Sequence, residues 1–363
     1  MKGAPQAMKL AGAGMSAPAA SLDRQGAAGD GPQAVPGLIL ALAFDSDGRP
    51  AFLPVERPID LAAPGAGWLW VHCDLVDGRL LRWLTSAAAL SPAARAFLLS
   101  HDTHQQIEAA EGSILAVLDD LVRDLDNPSE DVAQLRVVMT DRLVVTGRRR
   151  ALQAIENTRQ AIAAGRRLVG PASLLAVIVE QILQTIAANA ETLHLELDRI
   201  EDRILDDTVS DERRGLGEVL RTAARLHRRL GVLAALFARL EEEADEEDEA
   251  GSPELLALRP IAGPIVRRVE GLHGKVLATQ ERGRLLQDEI TAKLATETNR
   301  RLHALSIVTA LFLPPALVAG IFGMNTKDLP LLETPGGSFW ALGLCAASSL
   351  GVYLLMKKLG IFD

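Results

Sequence analysis

Apolar and polar positions follow three different rhythms along this chain. Between residues 37 and 150 the rhythm is short and strand-like. Leu38 to Phe44 (LILALAF) is a candidate strand, closed by the turn Asp45-Ser46-Asp47-Gly48. Gly67 to Leu75 (GWLWVHCDL) alternates as a half-buried strand does. SILAVLDDL, VAQLRVVM and RLVVTGR continue the series, the last two joined by a tight turn at Thr140-Asp141. One helix interrupts them, with Ser91 as N-cap and Pro92 at its first position. These elements predict an α/β domain with a small sheet.

From about residue 150 the period lengthens to that of helices. Pro171 opens a helix predicted to run to about Asp207. Leu175, Ile178, Ile182, Ile186, Leu193, Leu197, Ile200 and Ile204 form its apolar seam, in steps of three, four and seven. A second long helix, from about Asp211, ends in the acidic run Glu241 to Glu249. Gly251-Ser252-Pro253 breaks the chain, and Pro260 and Pro264 limit where the next helix starts. No proline then follows until Pro314, so one helix over 264–323 would extend roughly 90 Å, far more than a membrane is thick.

The third rhythm is no rhythm at all. Leu302 to Gly323 carries no ionisable side chain beyond His303, and Ser338 to Met356 is uncharged. Both are long enough to cross a bilayer, which takes about 20 apolar residues. Arg300 and Arg301 precede the first span, and Lys357 and Lys358 follow the second; the intervening loop has one Lys against one Asp and one Glu. The positive-inside rule then places both termini in the cytoplasm and the loop outside. The expected organisation is a disordered tail (1–36), an α/β domain (37–150), a helical hairpin with an acidic tip (151–262) and a stalk helix continuing into the first span (263–323). An outer loop (324–337), a second span (338–356) and a cytoplasmic tail (357–363) follow. The first 35 residues contain no continuous apolar block of the kind a secretory signal needs, so the large N-terminal part is expected to stay on the side of synthesis.

Charge and composition narrow the function class. The formal net charge is −9, but eight of the acids sit in the run 241–249, which leaves the remainder at −1. There is no basic footprint for nucleic acid. The run itself reads either as a solvated helical tip or as a rim that attracts cations. No GxxxxGK[ST] loop occurs, so no nucleotide is expected. The two cysteines, Cys73 and Cys345, are far apart and read as buried free thiols. His101, His104, His194 and His227 are scattered and suit surface or core roles.

The long helix carries a polar line. Glu281, Asp288, Asn299 and Ser306 are separated by seven, eleven and seven residues. At about 100° per residue each step returns to within ~20° of its start. Continuing by sevens reaches the apolar Leu313 and Gly320, and Asn325 caps the line at the outer end. For Glu281 simple solvation explains the polarity as well as a pore does. Asn299 and Ser306 stand at and inside the membrane edge, where polar placement is costly and points to function. Pro314-Pro315 in the span marks either a kink or a freed carbonyl. Asp328 and Glu333 in the loop read either as cation attractors or as a solvated turn.

FLPPALVAGIFGMN, followed by a short loop, a last span and a Lys-Lys tail, resembles the CorA family of divalent-metal transport proteins, whose signature is Gly-Met-Asn at the end of the first of two C-terminal spans. Here that signature is Gly323-Met324-Asn325. WLWVHCDL, LRVVMTDRLVVTGRRRALQAIENT and TNRRLHALSIVTALFLPPALVAG are most similar to the ZntB zinc-transporter branch. The resemblance implies a homopentameric funnel in the inner membrane: an α+β cytoplasmic domain, a long-helix stalk lining the pore, and two C-terminal transmembrane helices. It implies transport and not catalysis, with no cofactor. The cargo would be Zn²⁺, with the ZntB branch suggesting proton coupling, or alternatively Mg²⁺, Co²⁺ or Ni²⁺ in a channel-like member.

By position, Asn325 matches the signature amide, meeting a hydrated ion. Asp288 and Asn299 fall where family members carry pore-facing polar groups, and Lys357 and Lys358 suit a basic belt at the inner mouth. Two departures stand out. Ala316 occupies a position where the family commonly has Thr, and the loop TKDLPLLETPGG matches neither branch fully.

The signature chemistry is physically reasonable. A ring of neutral amides accepts hydrogen bonds from a hydrated cation without trapping it. Gly323 allows close approach at the helix end, and Met324 is expected to pack. The membrane half offers only His303 and Cys345 as soft ligands, so a fixed tetrahedral Zn²⁺ site is not expected there. A membrane-anchored sensor or scaffold that uses the hairpin only as an anchor is the alternative from another class.

Overall fold

The computed structural model describes residues 35–61, 67–87, 89–123, 131–205, 212–245, 253–324 and 336–359. The expected tail therefore lies almost wholly outside the described residues, as do the outer loop from Asn325 to 335 and the end of the acidic run. In chain order the elements are β1 (Leu38–Phe44), β2 (Pro50–Phe52), β3 (Trp68–Asp74), α1 (Gly78–Ser86), α2 (Pro92–Leu99), β4 (Gln106–Ala110), β5 (Ser113–Leu121), β6 (Val132–Met139) and β7 (Leu143–Arg148). The helical part follows: α3 (Gln153–Ala163), α4 (Pro171–Leu205), α5 (Glu212–Asp245), α6 (Pro253–Leu256), α7 (Arg259–Phe322) and α8 (Gly337–Lys358).

The sheet is larger than the short rhythm implied. Seven strands lie in the order β2-β1-β3-β7-β6-β5-β4, antiparallel except for the parallel pair β3–β7. That pair places β3 in the interior of the sheet with helices on both faces. Trp68 and Trp70 point into the core shared with α3, α4, α5 and α7, whereas Leu69, Val71 and Cys73 point into the core beneath α1 and α2. The half-buried reading of β3 is thus corrected: its first six residues are all buried. Their alternation of large aromatic and aliphatic side chains is a response to two different apolar layers, not to core and solvent.

Local chemistry explains the element ends. The Ser91 hydroxyl accepts from the Ala94 N–H at 3.1 Å with Pro92 in the first turn, as the sequence predicts. Asp77 caps α1 through the Arg79 N–H at 2.8 Å. Between β4 and β5 the turn is Glu111-Gly112, both at positive φ (47° and 74°), with Ala110 opposite Ser113. A two-residue hairpin turn of this hand needs φ > 0 at both positions.

All eight seam residues of α4 are buried. Helix α7 opens at Arg259, earlier than Pro264 led one to expect. Pro260 sits in the first turn, where its missing N–H costs nothing, and Pro264 forfeits only the bond to the Pro260 carbonyl. The helix is 64 residues long, about 96 Å at 1.5 Å per residue. Its buried residues all lie between Ala262 and Ile290, where it packs against α4 and α5. Two ties secure the far end of this contact. Lys293 donates to the Ile204 carbonyl in the last turn of α4 at 2.8 Å, and Arg282 reaches Asp198 and Glu201. Beyond Leu294 the helix leaves the domain.

Candidate functional site

Three helices, α4, α7 and α8, are long and apolar enough to cross a membrane by length and composition. Burial separates them. Half of the apolar window of α4 is buried inside the domain, whereas none of the α7 window is. Phe312 is 65% exposed and Phe339 80%, with Leu313, Leu317, Trp340 and Leu342 exposed beside them. An apolar surface this continuous marks contact with lipid or with other protein, not with water.

Helices α7 and α8 pack antiparallel. The Ser349 hydroxyl donates to the Leu311 carbonyl at 3.4 Å, and the Cys345 thiol lies 3.5 Å from the Pro315 carbonyl. These contacts fix the register: a step of four along one helix matches a step of four back along the other. The same register sets Lys357 and Lys358 beside His303 and Leu302, level with Arg300 and Arg301. Both lysines are exposed in the last turn of α8, where they also complement the helix dipole. Cys345 is half-buried between the helices, in contrast to Cys73, which is fully buried with its thiol pushed up to about 12 by burial and then by Asp74.

The partly covered residues of the α7 span are Ile307, Ala310, Leu311, Pro314, Pro315, Val318 and Phe322; Leu311 and Pro315 carry the contacts with α8, and Ala310 and Pro314 form the border between that side and the exposed one. At about 100° per residue the mean direction of the partly covered residues lies roughly 125° from the line through Asp288, Asn299, Ser306, Leu313 and Gly320. Every residue of that line is exposed. Glu281, below it, pairs with Arg284 at 3.2 Å on an open surface, as a solvated residue does. The Ser306 hydroxyl donates to the Leu302 carbonyl at 2.9 Å. Nothing stands within 4 Å of where a Cβ on Gly320 would be. Asp288 has no companion ligands: among the described residues no three His, Cys, Asp or Glu side chains are grouped to hold a metal ion.

At the C-terminal end of α7, Gly323 is the C-cap, at φ −83° and ψ −7°. Its conformation is open to any residue; the constraint there is space, because an added Cβ would stand 3.1 Å from the Ala319 carbonyl oxygen. Met324 is exposed instead of packed. Asn325, Asp328 and Glu333 lie outside the described residues.

Three features escaped the sequence reading. Thr309 shares the exposed side with Ser306 and donates to the Leu305 carbonyl at 2.8 Å; its seven-residue offset from Ala316 was the available signal. Ser349 meets the carbonyl that Pro315 cannot serve. His227 and His273 join α5 to α7 through a 2.8 Å ring-nitrogen contact, a pairing no local pattern reveals.

A family model described as CorA-like Mg2+ transporter protein matches residues 65–358. The chain belongs to the CorA family. Among curated CorA-type relatives, the zinc transport protein ZntB of Yersinia pseudotuberculosis is 25% identical over 293 residues, 79% of this chain and 85% of the relative. The divalent cation transporter CmaX of Pseudomonas aeruginosa is 24% identical over 283 residues, 75% and 80% of the two chains. The structure of full-length CmaX superposes with a TM-score of 0.71 at 22% identity, covering 91% of this chain and 99% of that one. The CorA magnesium transporter of Methanocaldococcus jannaschii gives 0.69 at 19% identity, covering 88% and 98%. The CorA-like α+β fold with its long helix and two apolar C-terminal helices is therefore shared across nearly the whole length of these proteins, as the resemblance implied.

Proposed function

We propose that the protein carries a hydrated divalent cation across the inner membrane through the axis of a homopentamer. Zn²⁺ is the favoured cargo and Asn325 the amide ring at the outer mouth. The carrying observation is the exposed line Asp288, Asn299 and Ser306 on the side of α7 that α8 does not cover. Lipid is a poor neighbour for an amide and a hydroxyl at these depths, and water in a central channel is a good one. Five copies of α7 would bring the line to a common axis, with α8 outside and the sheet domains on the cytoplasmic side with both termini. Arg300, Arg301, Lys357 and Lys358 would surround the inner mouth, and Asp328 and Glu333 the outer one. Asp288 would meet the ion together with its counterparts from the other copies. The process needs no resident cofactor, nucleotide or catalytic step.

The relatives named for zinc transport support Zn²⁺. A second reading, Mg²⁺ with Co²⁺ and Ni²⁺, is favoured by the oxygen-only character of the exposed line, since hard cations take oxygen ligands and keep their waters. Uptake into proteoliposomes with Zn²⁺, Mg²⁺, Co²⁺ and Ni²⁺ in competition, at several pH values, separates them. Zinc uptake that ignores pH sinks a proton-coupled mechanism. Asn325→Ala is expected to abolish uptake of whichever ion is carried; uptake equal to wild type overturns the pore and leaves a membrane-anchored sensor or scaffold.

A further inference from the structure

The α7 span carries an open groove of about 440 Å³, lined by Leu305, Ser306, Thr309, Ala310, Leu313 and Pro314. Its position follows from the two prolines. Pro314 has no N–H to return to the Ala310 carbonyl, and Pro315 has none for Leu311. The two orphaned carbonyls meet different fates. Leu311 faces α8 and receives the Ser349 hydroxyl at 3.4 Å. Ala310 lines the groove, and among the described residues no side chain takes the missing donor's place there.

The hydroxyls beside it are prepared in a complementary way. Ser306 spends its proton on the Leu302 carbonyl and Thr309 on the Leu305 carbonyl. Each is left with only lone pairs to offer. Ser306, Thr309 and Ala310 share an arc of about 100° centred on Ser306. One side of the helix thus presents three oxygens per copy that accept hydrogen bonds and do not donate them. The water shell of a cation has the opposite character, donors only.

We infer that Ser306, Thr309 and the Ala310 carbonyl form a mid-membrane ring of oxygens that holds a hydrated divalent cation through its waters. The inference rests on the axial-pore reading and adds a site to it. Without this ring, Asn299 stands 23 residues below the end of α7 at Phe322, about 35 Å of helix. The intervening residues on that side, Leu302, Leu313, Leu317 and Gly320, offer no polar side chain. An ion crossing such a length would lose hydration with nothing in exchange. The ring divides the distance and places the intermediate stop below the apolar collar formed by Leu313 and Leu317. Multi-site passage of this kind keeps each stop weak enough to leave.

The test uses the full chain in proteoliposomes loaded with a divalent-sensitive dye, assayed with Zn²⁺ and with Mg²⁺. Ser306→Ala/Thr309→Val removes both hydroxyls, and Pro314→Ala returns an N–H to the Ala310 carbonyl. Each is expected to lower uptake by about tenfold, the loss that follows when a desolvating ion is denied its hydrogen-bond acceptors. Val308→Ala, on the opposite side of the helix, is expected to transport as wild type. Thr309→Val alone, nearly isosteric, serves if the double variant does not assemble, and should show a smaller loss in the same direction. If the ring variants transport normally while Asn325→Ala is inactive, the ring is overturned and the pore stands. If Asn325→Ala transports normally, the pore falls and the ring with it.

Discussion

Asp120 and His72 give the sheet domain two opposed dependences on pH, which replacing Asp120 by Asn separates. Asp120, on β5, accepts from the Ala154 N–H at 2.7 Å and so caps α3 from across the core. Burial pushes its carboxyl up from 3.8 to about 6, against the pull of the Ala154 and Leu121 N–H groups and Arg229. His72, on β3, is buried with Nδ1 2.8 Å from the Thr146 hydroxyl, and burial, then Arg148, lowers it from 6.5 to about 3. For Asp120 the folded value is the higher one. Its stabilising contribution is therefore complete below about pH 3.8 and is lost as pH rises through 6, a change of about 3 kcal/mol. For His72 the folded value is the lower one. Its contribution is complete above 6.5 and is lost as pH falls toward 3, about 5 kcal/mol in all. Between pH 4 and 6 the slopes have opposite signs and similar size, so the wild-type domain is expected to be nearly level there. Asp120→Asn keeps an oxygen for the Ala154 N–H and stays neutral throughout. It leaves the His72 slope alone, a fall of about 3 kcal/mol from pH 6.5 to 4. Urea unfolding of the full-length protein in detergent, followed by tryptophan fluorescence, reads this directly. Trp70 donates to the same Thr146 hydroxyl, and Trp68 is stacked on Phe44 in the same core. Equal slopes for variant and wild type between pH 4 and 6 refute the reasoning, because Asp120 would then titrate in the fold as it does in the open chain.

Two further outcomes test the packing. Gly48 has φ +71°, accepts from the Leu168 N–H at 3.0 Å, and would set a Cβ 2.6 Å from the Leu168 carbonyl; Gly48→Ala should lower urea stability by about 2 kcal/mol or more. Ser349→Ala should destabilise the helix pair by about 0.6 kcal/mol, the usual worth of a hydrogen bond between membrane helices, and by almost nothing in a Pro315→Ala background where Leu311 regains its own N–H. A double-mutant cycle on thermal melts in detergent checks the coupling; independent effects would show that Ser349 does not serve the Leu311 carbonyl.

What the sequence made legible is what repeats along one element. The α4 seam is a single-helix pattern and every member is buried. Strands β1, β3, β5, β6 and β7 were each readable from apolar runs, and the two spans from the absence of charge. What escaped depends on other parts of the chain. Strand β4 was hidden because its hairpin turns on Glu111-Gly112 and not on an Asn-Gly or Asp-Gly pair; the Glu111 carboxylate also accepts from the Ala93 N–H at 2.9 Å, which ties the turn to α2. The two-sided burial of β3 depends on the parallel partner β7, more than 60 residues away. Composition alone also does not distinguish α4 from the spans. Its apolar window is as long, and only the sheet and helices α3, α5 and α7 packed against it show that its environment is protein.

The same logic explains why the candidate site is incomplete in one copy. Along its N-terminal part α7 buries one residue every turn or so against α4 and α5, but past Ile290 none. There α8 covers one arc of the helix, and the exposed phenylalanines and leucines suit lipid. The arc through Asn299, Ser306 and Thr309 suits neither: its groups are polar, and α8 lies about 130° away. A helix that emerges from its domain with one side answered by its own chain and one suited to lipid leaves a third side open, and that is the side the proposed homopentamer would close. The hydroxyls of that third side donate to carbonyls of their own helix and keep their lone pairs for the ion the proposal places there. Filling the arc from within, by restoring the Ala310 hydrogen bond through Pro314→Ala, should make the helix pair more stable and the transporter slower, a trade between stability and passage that a purely structural role for Pro314 does not produce.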